Sequence, residues 1–368
     1  MLHEIIGMTS ENSLSEDQKW MMRAIELAVL AEGRTSPNPL VGSVVVKEGR
    51  LIAQGYHKGP GQWHAEREAL LSIDQQAKGA TLYVNLEPCC HFGRTPPCTD
   101  IILESGISKV VVGMLDPDPR MAGKGISLLQ KAGLEVEVGI LEAQCQRLND
   151  AYLLARNHNR PRFTVKTACT LDGFTCSSFG ESQWITNPSS RRNGHLLRDK
   201  HDGILVGVGT VLADDPSLNT RLSDQTSSED AIPIILDSHF KSPPDAKFWT
   251  LGKPPIVFCR HDAVRDVARG QCIAVDHDKE GLNLEQIAKY LVAQGIYSVL
   301  LEGGATIHQS FMQKGWVDRL EIFMAPKILG QGKSWLECNP FHLNMAPTFD
   351  LLAISAYNSD VWLRYVKQ

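Results

Sequence analysis

The sequence contains no uninterrupted apolar stretch of the roughly 18 residues that a membrane-crossing helix requires, so no membrane span is expected. It also lacks a basic excess, since its net charge is −5 and charges of both signs are interspersed. Proteins that track a nucleic-acid backbone draw most of their affinity from neutralised phosphates, so these totals argue against a nucleic-acid partner. The first residues, MLHEIIGMTSENSLSEDQK, are short on apolar side chains and carry acidic ones, unlike a secretory signal. A cytoplasmic protein is the expectation. No repeat with a period of about 20–50 residues is visible, which excludes a solenoid. No Gly-x-Gly-x-x-Gly opens a helix after a first strand, so the usual dinucleotide fingerprint is missing. The nine cysteines are an odd number, scattered except for Cys89, Cys90 and Cys98. Without an export signal, such a cluster points to metal binding or catalysis rather than to disulfides.

What is present is an ordinary globular composition, 43% apolar and 21% charged, over 368 residues. At about 150 residues per domain this length predicts two domains. Ser15-Glu16-Asp17-Gln18 resembles a capping box and opens a helix expected to stop near Gly33. Pro37-Asn38-Pro39 forces an extended turn before the strand Val41–Val46, and Leu51–Tyr56 returns from it. Then come a helix Ala65–Ala77, the strand Thr81–Leu86, a short helix from Thr99, the strand Val110–Met114, a helix Gly125–Ala132, the strand Leu134–Gly139 and one helix from Glu142 to Asn157. The polar, Pro-containing stretch Arg156–Arg162 marks the boundary, giving domains 1–158 and 159–368. The second half reads as strands at Phe163–Ala168, Gly203–Val208, Ile232–Leu236, Pro255–Cys259 and Ser298–Leu301. Its helices fall at Pro188–Arg198, Leu284–Gln294 and Thr306–Gln313, with a surface loop at Ser223–Asp230. Such alternation argues layered α/β domains.

The strongest constellation is His64-Ala65-Glu66, followed by Glu87-Pro88-Cys89 and Cys98. One imidazole and two thiolates suit zinc, and three protein ligands leave a fourth position for a water whose acidity the metal raises. Glu66, two residues past the imidazole, can approach that water without ligating, as a general base that then protonates a leaving amine. Cys98 falls near a helix start, where the dipole favours thiolate. The arrangement matches the His-x-Glu…Pro-Cys signature of zinc nucleobase deaminases, although the gap between the thiols is longer. The alternatives are a closed structural zinc site completed by Cys90 or His91, and reduced core thiols with no metal. In the second half, Leu301-Glu302-Gly303-Gly304-Ala305-Thr306 places small residues between a strand and a helix, where free N–H groups can bind phosphate. Gly207-Val208-Gly209-Thr210 reads as a tight strand exit.

Asn38-Pro39-x-Val41-Gly42, His64-Ala65-Glu66 and Glu87-Pro88-Cys89-x-His91-x-Gly93-Arg94-Thr95-Pro96-Pro97-Cys98 resemble the bifunctional deaminase/reductase family of riboflavin biosynthesis. Lys166-Thr167-Ala168-x-Thr170-Leu171-Asp172-Gly173, Gly180-Glu181-Ser182-Gln183-Trp184, Gly209-Thr210-Val211-Leu212-Ala213-Asp214-Asp215-Pro216 and Glu302-Gly303-Gly304 extend the resemblance into the second half. Cys90 departs from the pattern, which has Ser there. The resemblance implies a cytidine-deaminase-like three-layer domain followed by a dihydrofolate-reductase-like α/β domain. It implies His64, Cys89 and Cys98 as Zn²⁺ ligands, Glu66 as proton shuttle and Asn38 on the pyrimidine. It further implies Lys166, Ser182, Arg198, Leu218, Arg221 and Glu302 around the substrate of the reductase. Ala168, Trp184, Thr210, Asp214, Ser238 and the turn Gly304-Ala305-Thr306 would line NADPH. The substrates it implies are phosphoribosylaminopyrimidines, with Arg198 and Arg221 as forked donors to phosphate. A homo-oligomer is compatible with it, and Arg191 and Arg192 read as a solvated helix face. Two competing readings are a nucleic-acid deaminase, which needs a basic aromatic groove, and a zinc-stabilised nucleotide sensor without catalysis.

Overall fold

The computed structural model describes residues 14–93, 95–119, 121–222, 228–279 and 281–368. Arg94, the first 13 residues of the N-terminal stretch and most of the loop expected at Ser223–Asp230 lie outside the described residues. The chain divides into two compact units, Met1–His158 and Asn159–Gln368.

In the first unit, α1 spans Glu16–Val29, and its capping box is formed: Gln18 N–H donates to Ser15 Oγ (3.2 Å), and Ser15 N–H donates to Gln18 Oε1 (2.9 Å). The chain continues through β1 (Gly42–Lys47), β2 (Arg50–Tyr56), α2 (Ala65–Leu71), β3 (Thr81–Val84), α3 (Cys98–Glu104), β4 (Lys109–Val112), α4 (Lys124–Lys131), β5 (Glu135–Val138), α5 (Glu142–Leu148) and α6 (Asp150–His158). The five strands form one sheet in the order β2-β1-β3-β4-β5, with β1 antiparallel to β2 and β3, and β3, β4 and β5 parallel. One face is covered by Ala69 and Leu70 of α2, Ile101 and Ile102 of α3, and Ile126 and Leu129 of α4. The other is covered by Met21 and Ile25 of α1 with Cys145 and Leu148 of α5. This makes three layers, helix on sheet on helix.

Three helix readings need correction. The first helix stops at Val29, short of Gly33, because residues 30–34 continue as turns closed by i→i−3 bonds. α2 ends at Leu71 rather than Ala77, where Ser72 Oγ donates to Ala69 O (2.7 Å) and Asp74 and Gln75 take positive φ. The single helix expected over Glu142–Asn157 is two helices parted at Asn149.

β1 lies so close to α1 that a Cβ on Gly42 would stand 2.0 Å from Ala24 O and 2.8 Å from Ala28 N. Both are backbone atoms and cannot swing aside. Gly42→Ala should therefore destabilise this unit by about 1–3 kcal/mol, read as a lower urea midpoint. An unchanged midpoint would show that the helix can step back.

The second unit contains β6 (Arg162–Thr170), β7 (Phe174–Ser177), α7 (Pro188–Asp199), β8 (Gly203–Gly207), α8 (Val208–Asp214), β9 (Ile232–Leu236), α9 (Lys247–Thr250), β10 (Ile256–Cys259), β11 (Gln271–Ala274), α10 (Leu284–Ala293), β12 (Ser298–Leu301), α11 (Ala305–Gln313), β13 (Arg319–Ala325), β14 (Gly332–Ser334), β15 (Phe349–Tyr357) and β16 (Asp360–Lys367). A nine-stranded sheet runs β11-β10-β9-β8-β12-β6-β13-β16-β15, parallel from β11 to β13 and antiparallel at the β16 and β15 edge. Ile287 and Leu291 of α10 and Ile307 and Phe311 of α11 pack into one core cluster with Phe163, Leu205 and Phe258. Val211 of α8 and Phe248 of α9 belong to a second cluster with Ile204, Val206 and Val257. Gly207-Val208-Gly209-Thr210 is not merely a strand exit, because β8 runs straight into α8. The carboxyl ends of β8, β12 and β6 lie side by side, which is where sheets of this kind gather ligands.

Candidate functional site

In the first unit, three elements converge. His64 is the N-cap of α2, Cys89 follows the Glu87-Pro88 turn after β3, and Cys98 is the first residue of α3. His64 Nδ1 lies 3.4 Å from Cys89 Sγ and 3.3 Å from Cys98 Sγ, and all three candidate ligand atoms lie within 4.8 Å of one another. Cys98 N–H also donates to Cys89 Sγ at 3.3 Å. A hydrogen bond between the two sulfurs pulls the Cys89 thiol down toward thiolate and pushes the Cys98 thiol up. One imidazole nitrogen facing two sulfurs is a donor set that fits zinc. Cys90 and His91 fall outside this group, and His91 Nδ1 instead faces Met121 Sδ at 2.9 Å. The closed four-ligand alternative therefore has no support in the geometry.

Glu66 lies in the first turn of α2, 3% exposed. Burial, followed by the charge of Cys89, raises its carboxyl to about 7. Asn38 reaches the same neighbourhood through His57, a residue that the sequence reading missed. Asn38 Nδ2 lies 2.9 Å from His57 Nε2, His57 Nδ1 lies 3.0 Å from Trp63 O, and the His57 ring stands edge-on to His64 at 5.6 Å. Glu87 has no role of its own in the sequence motif, yet it holds the ligand turn. Its buried carboxylate accepts from the N–H groups of Asp116 (3.2 Å), Gly123 (2.9 Å) and Gly125 (2.9 Å). A sequence offers no signal for such a partner set.

In the second unit the structure brings Lys166, Arg198, Arg221 and Glu302 together. Arg198 Nε and Nη2 donate to the two Glu302 oxygens at 3.0 and 2.8 Å, Arg198 Nη1 donates to Asn219 O at 2.9 Å, and Lys166 Nζ stands 4.0 Å from Glu302. Burial pushes the Glu302 carboxyl up, but the charges of Arg198 and Lys166 overcome it and hold it at about 2. Arg221 bonds Ser217 Oγ and Asn219 Oδ1 from an exposed position. His195, three residues before Arg198 on α7, is a second missed residue. Burial and then the Arg198 and Arg221 charges lower it to about 4, and its buried Nδ1 has no partner. A histidine one turn from an arginine on a polar helix face is the available signal.

The remaining expected residues are more dispersed. Ala168 lies on β6 two positions beyond Lys166, and Gly304-Ala305-Thr306 lead from the end of β12 into α11. Gly304 caps α11 without a side-chain bond, and nothing lies within 4 Å of where its Cβ would be, so the first N–H groups stay open to an anion. That opening fits a dinucleotide phosphate. Thr210 and the exposed Asp214 are on α8. Ser238 follows β9, where its carbonyl accepts from Arg260 N–H (3.1 Å). Ser182 and Trp184 lie on an exposed loop, with Trp184 under the Arg191 guanidinium at 4.3 Å. Arg191 is thus engaged rather than simply solvated, and its Nη1 also donates to Thr186 O (2.7 Å). The Leu218 side chain is buried with Ile204 and Phe248, so what it can offer a ligand is backbone, held at φ 52°.

Comparison with known proteins decides the family. Residues 161–363 match the RibD C-terminal domain, and residues 14–114 match the cytidine and deoxycytidylate deaminase zinc-binding region. The riboflavin biosynthesis protein RibD of Aquifex aeolicus is 44% identical over 322 residues, covering 86% of this chain and 89% of that one. The chain belongs to the RibD family. The Escherichia coli RibD is 36% identical over 364 residues, with 95% and 99% covered. Among solved structures, an Acinetobacter baumannii RibD superposes with a TM-score of 0.86 at 36% identity, covering 96% of this chain and 99% of that one. A diaminohydroxyphosphoribosylaminopyrimidine deaminase/5-amino-6-(5-phosphoribosylamino)uracil reductase from Thermotoga maritima gives 0.86 at 35% identity, also with 96% and 99% covered. As a RibD, the chain is a bifunctional enzyme with a deaminase domain and a reductase domain. No helix among the described residues is long and apolar enough to cross a membrane.

Proposed function

We propose that the first unit hydrolytically deaminates 2,5-diamino-6-(5-phosphoribosylamino)pyrimidin-4(3H)-one. The second then reduces 5-amino-6-(5-phosphoribosylamino)uracil to the ribitylamino product with NADPH. The observation that carries the first half is the His64, Cys89 and Cys98 triad with a buried Glu66 beside it. These three side chains would hold zinc, which supplies the Lewis acid that makes water nucleophilic near neutrality. Glu66 takes a proton as water adds to the amino-bearing ring carbon and returns it to the departing nitrogen, so that ammonia leaves. Its carboxyl, raised to about 7, is suited to both transfers. Asn38, held by His57, contacts the pyrimidine edge.

In the second unit, NADPH supplies the hydride that converts the opened ribosyl imine at C1′ to an amine. Gly304-Ala305-Thr306 would receive its phosphates, with Ala168, Trp184, Thr210, Asp214 and Ser238 along the rest of the cofactor. The geometry redistributes the arginine tasks expected from the sequence. Three Arg198 donors are already used on Glu302 and Asn219, so Arg198 keeps Glu302 ionised and aimed at the substrate. The exposed Arg221 is the cation for the substrate phosphate. Lys166, Ser182 and the Leu218 backbone complete that surface. The seven cysteines besides Cys89 and Cys98 are free thiols, which supports a reducing, cytoplasmic setting.

A paired assay tests the reading. Zinc-loaded protein should release ammonia from the diaminopyrimidine and oxidise NADPH with the aminouracil. Stripping the metal with a chelator should abolish ammonia release and leave NADPH oxidation within about twofold, because the metal triad and the Arg198–Glu302 pair belong to different units. A protein that shows neither activity when loaded with zinc would end the proposal. Ammonia release that survives full metal removal would end the metal assignment.

A further inference from the structure

The break between α5 and α6 puts the buried carboxamide of Asn149 against Leu40, 109 residues away. Leu40 N–H donates to Asn149 Oδ1 at 2.8 Å, and Asn149 Nδ2 donates to Leu40 O at 3.0 Å. Asn85 adds a second donor to the same carbonyl (2.9 Å), while its Oδ1 accepts from Gly42 N–H (2.8 Å). Leu40 is thus paired through both of its backbone groups, as a neighbouring strand would pair it, although β1 starts only at Gly42. Without these side chains the segment would have buried backbone groups to satisfy in some other way.

Leu40 is two residues from Asn38. The Trp63 carbonyl can only accept, so His57 carries its proton on Nδ1, and its Nε2 accepts from Asn38 Nδ2. Asn38 therefore has one of its two amide N–H donors committed, which fixes the orientation of the carboxamide and leaves its Oδ1 to meet a ligand donor such as a ring amine or ring N–H, with the second N–H beside it. The direction of that oxygen depends on the backbone at positions 38–40, which is the stretch that Asn149 grips.

We infer that Asn149 is a positioning residue of the deaminase: its two-bond clamp on Leu40 holds the Pro-Asn-Pro loop in the register that aims Asn38 at the pyrimidine. This rests on the reading of Asn38 as a substrate contact. The test compares Asn149→Ala, Asn149→Asp, Asn38→Ala and the Asn38→Ala/Asn149→Ala double variant in the full-length zinc enzyme. Asn149→Ala should raise the deaminase KM about tenfold, the scale of losing buried hydrogen bonds, with kcat within about twofold. Zinc content and reductase rate should match the parent. Asn149→Asp keeps the acceptor for Leu40 N–H but sets an oxygen against Leu40 O, so its KM should rise at least as far. It also serves as the test where the alanine variant does not fold. In the Asn38→Ala background, Asn149→Ala should add little, since both changes remove one contact. If Asn38→Ala raises KM while Asn149→Ala and Asn149→Asp leave it unchanged, the clamp inference is overturned and the Asn38 reading stands. If the two effects multiply independently, or reductase and zinc content fall in parallel, Asn149 is only structural. If Asn38→Ala leaves KM unchanged, the Asn38 reading fails and the inference goes with it.

Discussion

Glu66→Gln should lower ammonia release by about 10²–10⁴-fold while the protein stays folded, keeps zinc and oxidises NADPH at the parental rate. Glutamine preserves the shape of a side chain that is 3% exposed inside the first turn of α2, so packing is not disturbed. What it removes is a group able to carry a proton between water and the leaving amine. Burial and the Cys89 charge raise the Glu66 carboxyl to about 7, so both of its protonation states are accessible near neutral pH. Metal content, ammonia and NADPH are read from the same preparation. A Glu66→Gln enzyme keeping more than a tenth of its deaminase rate would remove Glu66 from the reaction. Loss of zinc in that variant would instead make it part of the metal site.

The parts of the site legible in the sequence are those whose chemistry demands rare residue types at short spacing. His64 and Glu66 are separated by one residue on a helix start, and Cys98 opens another helix, so local rules place them. The Ser15 capping box and the Gly-Gly turn before α11 are likewise local. What escapes is held across long sequence separations. Asn149 ends a helix for the sake of Leu40, and helical periodicity over Glu142–Asn157 contains no trace of that partner. Arg198 reads as a forked donor in the sequence, where nothing shows that Glu302, 104 residues on, takes two of its N–H groups. β13 has no counterpart among the strands expected from the sequence. Its Arg319 and Glu321 are buried, and Glu321 accepts from Trp362 Nε1 at 2.7 Å across the antiparallel edge of the sheet. Two charged residues at alternate positions make one face of this strand read as solvent-facing in the sequence, although that face is buried.

The same long-range pair sets the second large effect. Arg198→Met should abolish NADPH oxidation and destabilise the second unit by about 3–5 kcal/mol, because Glu302 would remain buried without its bidentate partner. The pH dependence distinguishes this from ordinary cavity formation. In the parent, burial raises the Glu302 carboxyl, but Arg198 and Lys166 win and hold it at about 2 against an ordinary value of 4.5. A depressed carboxylate gives stability that is present above its unfolded value and is lost as pH falls from 4.5 through about 2. Remove Arg198, and burial dominates what Lys166 at 4.0 Å can still offset, so the carboxyl moves above its unfolded value. The linkage then reverses: the variant's native state holds the proton more tightly than the unfolded chain, and its stability declines as pH rises from the acid side. Between about pH 4.5 and 7 the urea midpoint should therefore fall with rising pH in Arg198→Met while the Glu302 contribution stays level in the parent, and below pH 4.5 only the parent should lose that contribution. The Arg198→Met/Glu302→Gln double variant should regain most of the lost stability and none of the reductase rate, since replacing both charges removes the buried debt but also the carboxylate. Parallel pH slopes in parent and Arg198→Met, or a double variant no more stable than the single one, would mean that the fork between Arg198 and Glu302 is not what holds this site together.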